Sequence, residues 1–175
     1  MELPHTSLSR IIDPIIGKIG ESVSWLWFVL LLVIVLNVTL RYLFGEGRVE
    51  FEEVQWHLYS VGFLFGLSFA YASDSHIRVD VMRGTFRPRV NAWIELYGTV
   101  FLLLPLIALV LIFGTPFVLS SFQLGEVSQA PGGLPYRWLI KAALPFGFLL
   151  LLASAASRLS RVWAFLFLED KRLGS

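Results

Sequence analysis

The chain has 175 residues, of which 56% are hydrophobic and 15% are charged, and its mean hydropathy is +0.71. Soluble domains contain roughly 45–50% apolar residues, so this composition excludes an ordinary soluble domain and indicates an integral membrane protein. Because the sequence contains no cysteine, disulfides, thiolate metal sites and thiol redox chemistry are excluded. The formal net charge is +1, and we expect no nucleic-acid partner.

Four apolar segments are each long enough to cross a bilayer as a helix, which requires about 20 residues. They predict an all-α integral membrane domain over residues 23–168, with four transmembrane helices at about 23–44, 52–73, 88–122 and 136–168. We expect residues 1–22 to form a cytoplasmic or interfacial leader without a cleavable signal peptide, and residues 169–175 to form a cytoplasmic tail.

Lysine and arginine residues in the flanks of the spans predict the orientation of the chain. Ten of them lie in the N-terminal segment, in the connection between helices 2 and 3, and at the C-terminal end. Only four lie in or beside the other two connections. Because positively charged flanks stay in the cytoplasm, both termini are predicted to be cytoplasmic.

The leader contains apolar residues at helical spacing, which predicts a short amphipathic helix at the membrane interface. Asp13 and Pro14 suit the N-cap and the first turn of this helix. Its apolar face consists of Ile11, Ile12, Ile15, Ile16, Ile19 and Val23. The alternative is a leader without regular structure.

Two further regions depart from a simple helical pattern. The connection that contains "HIRVDV" alternates polar and apolar residues, so we expect an extended segment at the inner interface or against a partner, with a helix as the alternative. Helix 3 is predicted to run from Pro88 to about Phe122, a length of about 50 Å. Because the hydrocarbon core is only about 30 Å thick, this helix must tilt, kink or extend beyond the membrane.

Paired acids begin the predicted helix 2. Glu52 and Glu53 lie in its first turn, next to Trp56 and His57. Carboxylates at a helix N-terminus interact favourably with the helix dipole by roughly 0.3–1 kcal/mol, and tryptophan is common at membrane interfaces. These effects alone account for the group, and a role in docking another protein is the alternative.

The sequence offers little support for catalysis or for a haem. His57 and His76 lie 19 residues apart, which is about 28 Å along a helix, so they would not face one haem at the same depth. The interior of the spans holds no obvious Asp, Glu, Lys, Arg or His, as a hydrolase or a proton relay would require. We therefore expect no catalytic residue, no metal site and no cofactor.

Helix 2 also carries a stripe of small residues. Gly62, Gly66 and Ala70 recur at every fourth position, a spacing that allows another helix to approach closely. This pattern favours a helix that packs on protein over one that faces only lipid.

Four fragments occur in a characteristic order along the chain. They are "NVTLRYLFG" at the end of helix 1, "EFEEVQWHL" at the start of helix 2, "HIRVDV" after it, and "GEVSQAPGGLPYRWLIKAALPFGFLLLL" leading into helix 4. Together they resemble the small permease subunit (Q, or DctQ type) of tripartite ATP-independent periplasmic (TRAP) transporters. The resemblance covers roughly residues 20–168.

The resemblance implies partners rather than an active site. It implies a multi-pass scaffold in the inner membrane of a bacterium or archaeon, in contact with membrane lipids and with a large permease (M) subunit that carries substrate and sodium. A periplasmic substrate-binding (P) protein would deliver an organic acid, and sodium would bind the permease rather than this chain. The candidates for partner contact are Glu52, Glu53, Trp56, Gly62, Gly66, His76, Arg78, Asp80, Glu126, Arg137 and Lys141.

The resemblance leaves the transported compound open between a 2-oxo acid, another carboxylate, and the mannitol or chloroaromatic type. Two other functions are alternatives. One is a membrane-anchor or electron-transfer subunit of a membrane enzyme complex, and the other is a small carrier that transports solute on its own.

Overall fold

The computed structural model describes residues 3–45, 47–74 and 86–168. Within these ranges the chain forms four helices and no strand, which confirms the predicted all-α class for this part of the chain. The helices are α1 (Ser7–Phe44), α2 (Val49–Ala72), α3 (Pro88–Gln123) and α4 (Trp138–Leu168). The candidates His76, Arg78 and Asp80, with the segment "HIRVDV", lie outside the described residues.

Helix α1 is continuous from the leader into the first apolar segment. It begins with a capping box, in which the Ser9 N–H donates to Thr6 Oγ1 at 3.2 Å and the Thr6 N–H donates to Ser9 Oγ at 3.0 Å. The predicted helix start at Asp13 and Pro14 is therefore wrong. The capping box at Thr6 and Ser9 satisfies two backbone N–H groups before Asp13 is reached, so the helix begins there. Pro14 then lies inside the helix, where it loses only the hydrogen bond to the carbonyl of the exposed Arg10.

Three of the helices, α1, α3 and α4, are long and apolar enough to cross a membrane. Helix α2 has 24 residues but is not among these three. The reason lies in its first half, where Gln55, His57 and Ser60 interrupt the apolar residues.

Helix α4 lies at the centre of the bundle, because it packs against each of the other three helices. Its approach to α2 is close. A Cβ atom added to Gly147 would lie 3.0 Å from both the Cβ and the backbone O of Leu64. About two turns further along α4 and one turn further along α2, Ser154 Oγ donates to the Ser68 carbonyl at 3.0 Å. Small residues on α4 thus bring the two backbones together, as is usual in membrane bundles.

Helix α3 is interrupted by a π-turn at Thr99–Leu103, which ends two residues before Pro105. Proline has no N–H to continue the α-helical hydrogen bonds, and in the turn ahead of it the Leu104 N–H donates to the Thr99 carbonyl, five residues back. The Tyr71 hydroxyl of α2 lies 3.0 Å from Thr99 Oγ1 at this turn. The irregular turn is therefore fixed against α2 by a hydrogen bond between two hydroxyl groups.

Candidate partner-contact site

Most of the predicted contact residues lie at one end of the bundle, which we call the loop end. It comprises the end of α1, the start of α2, the start of α4 and the α3–α4 loop, residues 124–137. The opposite end, where α1 begins and α4 ends, is called the terminal end.

The Glu53 carboxylate joins the start of α2 to the α3–α4 loop. One oxygen accepts a hydrogen bond from the Ser128 hydroxyl, and the other accepts one from the Leu134 N–H at 2.6 Å. The loop closes on itself beside these contacts, because the Ser128 N–H donates to the Leu134 carbonyl at 3.1 Å. Glu53 thus acts as a clasp that holds a loop 75 to 81 residues away in sequence.

Glu126 joins the same loop to α4. Its carboxylate accepts hydrogen bonds from the Lys141 ammonium and, at 2.7 Å, from the Ser121 hydroxyl. The hydrogen bond from Lys141, followed by that from Ser121, holds the pKa of Glu126 below its ordinary value of 4.5. The Arg137 N–H donates to the Glu126 carbonyl at 3.1 Å, and the positive charge of Arg137 also favours the carboxylate. Glu126, Arg137 and Lys141 are therefore brought together by the structure.

Glu52 faces away from this loop and forms an ion pair with Arg41 at the end of α1. The two side chains are 45% and 50% exposed, so water screens the pair. Trp56, one turn further along α2, is 69% exposed and is available to lipid or to a partner. The Nδ1 atom of His57 lies 2.6 Å from the Glu53 carbonyl, so this ring contacts its own helix.

The two glycines of the small-residue stripe have different surroundings. A Cβ atom added to Gly62 would lie 3.3 Å from the Trp27 ring, so this glycine packs against α1 of the same chain. A Cβ atom added to Gly66 would meet no atom within 4 Å in the described part of the chain. Only the Gly66 position therefore leaves room for a helix from outside.

A family comparison decides the class of this protein. Residues 30–165 match the model of the DctQ component of tripartite ATP-independent periplasmic transporters. The chain belongs to the DctQ family. No curated protein matches it. The family and the three apolar helices together make the chain a multi-pass small membrane component of a TRAP transporter.

The terminal end of this DctQ chain carries a buried charge cluster that the sequence analysis missed. Arg158 of α4 is only 6% exposed and forms ion pairs with Glu95 of α3 and, at 3.0 Å, with Asp74 at the end of α2. The sequence places Arg158 and Glu95 within the helices that contain the fourth and third apolar segments, but it does not indicate that they pair or that they are buried. The cluster joins three helices through one guanidinium, which can bind two carboxylates at once.

A second polar group at the terminal end joins α1 to α4. The Ser157 hydroxyl donates to Asp13 Oδ1 at 2.5 Å, and Arg161 lies 3.6 Å from Asp13 Oδ2. The Thr6 and Ser160 hydroxyls are 2.7 Å apart. Asp13 is thus an anchor inside α1 rather than its cap.

A sequence signal for both groups does exist. The polar residues of the last turns of α4 follow helical spacing, with one polar stripe in an otherwise apolar helix: Ser154, Ser157, Arg158 and Arg161. Across the described ranges, no group of three or more His, Asp or Glu side chains is placed to hold a metal ion.

Proposed function

We propose that this chain is the non-catalytic scaffold of a sodium-coupled TRAP transporter that takes up an organic acid across the inner membrane of a bacterium or archaeon. In this proposal the large permease carries substrate and sodium, and a periplasmic binding protein delivers the substrate. The observation that carries the proposal is the DctQ match over residues 30–165, most of the chain.

The proposal includes four membrane spans with both termini in the cytoplasm. Helix α2 would be the fourth span, since its 24 residues reach about 36 Å, more than the hydrocarbon core of about 30 Å. Its packing against α1 and α4 supports this placement, because the polar residues Gln55, His57 and Ser60 are partly buried in the bundle instead of fully exposed to lipid. The excess of lysine and arginine at the terminal end supports the orientation.

Broad apolar faces support a scaffold role. Trp25 of α1, Leu102 of α3 and Phe113 of α3 are 70%, 74% and 70% exposed. Lipid tails and protein side chains are similarly apolar, so replacing lipid by the permease on such a face costs little free energy. Close packing then determines whether the two proteins associate. The proposal requires that one of these faces meets the permease.

The loop end would face the periplasm in this orientation and would meet the binding protein. The clasp at Glu53 supports this part of the proposal, because a loop fixed by hydrogen bonds loses less conformational entropy on docking than a free loop. The same clasp gives Glu53 a structural role, so Glu52 is the acid better placed for electrostatic steering of a partner.

Reconstitution tests the proposed function. Liposomes that contain a cognate large permease, with binding protein outside, should accumulate substrate under an inward sodium gradient only when this chain is present. Liposomes with this chain alone should show no uptake. Uptake at full rate by the permease without this chain, or uptake by this chain alone, would refute the scaffold role.

Charge-neutralising variants test the docking role of the acids. Glu52→Gln combined with Glu53→Gln should reduce uptake, and the loss should depend on salt if steering is involved, while the permease still co-purifies. Glu21→Gln, which removes an exposed acid from α1 away from the loop end, is the matched control and should leave uptake unchanged. Normal uptake by the double variant would exclude docking through these acids, and loss of co-purification would assign them to assembly.

A further inference from the structure

A groove of about 500 Å³ runs between α1 and α2 at the loop end. This volume lies within the range of about 300–1,000 Å³ that is typical of small-molecule sites. Two aromatic side chains on its rim are highly exposed, Tyr42 at 81% and Trp56 at 69%. The groove therefore opens to the side of the bundle, towards the bilayer, rather than into the interior of the protein.

Two amide side chains in the wall of this groove have unsatisfied polar atoms. Asn37 of α1 is only 6% exposed, and its Oδ1 atom has no hydrogen-bond partner within the described ranges. Gln55 of α2 also lines the groove, and its buried Nε2 atom has no partner among the described residues either. Because an unpaired buried polar atom is costly, these two atoms call for a ligand that offers both a donor and an acceptor.

The lining of the groove changes from polar to apolar along α1. The Arg41–Glu52 ion pair lies at the polar end, and Leu30, Ile34 and Val38 lie towards the apolar end. Leu30 and Arg41 are separated by 11 residues, or about 16 Å along a helix. This length matches one leaflet of the bilayer, which is half of a hydrocarbon core of about 30 Å.

We infer that one phospholipid of the leaflet on the loop-end side occupies this groove. Its acyl chain lies along Leu30 and Ile34. An ester carbonyl accepts from the Gln55 Nε2 group, and the headgroup ammonium, the donor of this lipid, donates one of its N–H groups to Asn37 Oδ1. Its headgroup lies beside the Arg41–Glu52 ion pair, with phosphate towards the Arg41 guanidinium and the ammonium group towards the Glu52 carboxylate. The ligand is therefore a zwitterionic lipid with a hydrogen-bonding ammonium, such as phosphatidylethanolamine.

A helix from a partner subunit fits these observations less well. The backbone groups of a helix are already hydrogen-bonded, so such a helix satisfies both amides only if it carries a polar side chain at this depth. A phospholipid has a charged headgroup, polar esters and apolar chains in the same order as the charged end, the amide layer and the apolar end of the groove. It therefore needs no additional polar side chain at that depth. The inference goes beyond the proposed transport function, since it requires only that the chain lies in a bilayer.

Native mass spectrometry tests the site on the full-length chain, after equilibration with lipid discs that contain equal amounts of phosphatidylethanolamine and phosphatidylglycerol. The wild-type chain should retain one phosphatidylethanolamine. Asn37→Leu combined with Gln55→Leu removes two hydrogen-bonding groups and should weaken retention about 5- to 100-fold. Thr39→Val is the matched control, because the Thr39 hydroxyl bonds only to the Val35 carbonyl of its own helix, and retention should stay at the wild-type level.

A second variant tests the site without changing the buried amides. Ile34→Trp should fill the apolar end of the groove and displace the lipid, and because Ile34 is 38% exposed this change leaves the helix core intact. Equal retention by wild type and both groove variants, or no lipid on the wild type, would overturn the inference. Equal retention of both lipids would overturn the headgroup assignment. A photoreactive residue at Trp56 that captures a protein instead of lipid in cell membranes would assign the groove to a partner helix.

Discussion

The buried charge cluster at the terminal end predicts a large and specific loss of stability. The change is Glu95→Gln, which removes one carboxylate from the guanidinium of Arg158. The two side chains are 9% and 6% exposed, so water replaces little of the lost interaction. Removing one partner of a buried ion pair costs about 3–5 kcal/mol, since the remaining charge is left buried without compensation.

In this protein we expect the loss to lie at or just below the lower end of that range. Arg158 keeps its ion pair with Asp74 at 3.0 Å, although the Asp74 side chain is 39% exposed and therefore partly screened. We expect the free energy of unfolding to fall by about 2–3 kcal/mol, which lowers the folding equilibrium constant about 30- to 150-fold. The loss should persist at high salt, because ions do not screen a buried pair effectively.

Equilibrium unfolding in detergent, followed by tryptophan fluorescence, measures this loss. Glu52→Gln is the matched control, since it makes the same chemical change in an ion pair whose side chains are 45% and 50% exposed. It should cost no more than about 1 kcal/mol and should lose that effect in high salt. Combining Glu95→Gln with Arg158→Met should cost less than the sum of the single changes, because no buried charge is then left unpaired. Equal effects of the two glutamate variants, or strict additivity in the double variant, would refute the reasoning.

Three further predictions concern packing, pH and topology. Gly147→Leu should lower the free energy of unfolding by about 1–3 kcal/mol or more, because even a Cβ atom there would lie 3.0 Å from the Leu64 backbone, and thermal unfolding measures this change. The pKa of Glu126 is lowered from 4.5, so the contribution of its carboxylate to the stability of the α3–α4 loop is present above pH 4.5 and is lost as the pH falls through the pKa of the folded state. Amide exchange of the loop should therefore be slower in the wild type than in Glu126→Gln above pH 4.5, and equal in the two proteins in stronger acid. In the cysteine-free chain, Gln129→Cys should react with an impermeant thiol reagent from the periplasmic side and Arg87→Cys should not, and the reverse labelling would overturn the proposed orientation.

The sequence predicts the helices of this fold well because each depends on local information. An apolar run of sufficient length predicts a membrane helix, and Pro88 marks the start of α3 because its fixed φ angle suits a first turn. The position of Glu52 and Glu53 in the first turns of α2 follows from the same local pattern. The start of α1 was harder to predict, because both Thr6 and Asp13 have N-cap chemistry and only the tertiary contact of Asp13 with α4 distinguishes them.

The contacts of the candidate site could not be predicted from local patterns. Glu53 bonds to Ser128 and to the Leu134 N–H, and nothing in the neighbouring sequence indicates partners 75 and 81 residues away. The same limit applies to Arg158, whose carboxylate partners lie on α3 and in the turn just after α2. From the sequence alone, a charged residue at a helix end is interpreted as a helix-dipole or membrane-interface residue. Only the packing of the other helices shows which partner it contacts.

The distribution of these contacts explains how a bundle with such exposed apolar faces keeps one arrangement. In lipid, burying apolar surface between helices gains little, so association depends on close packing and on hydrogen bonds between helices. This chain places its charged contacts at the two ends, through Glu53 at the loop end and Arg158 at the terminal end, and a close backbone approach at Gly147 in between. The ends fix the register of the helices along their axes, and the glycine fixes their separation. The outward faces of α1 and α3 contribute little to that arrangement, so substitutions there should alter association with lipid or partner more than the fold of the chain itself.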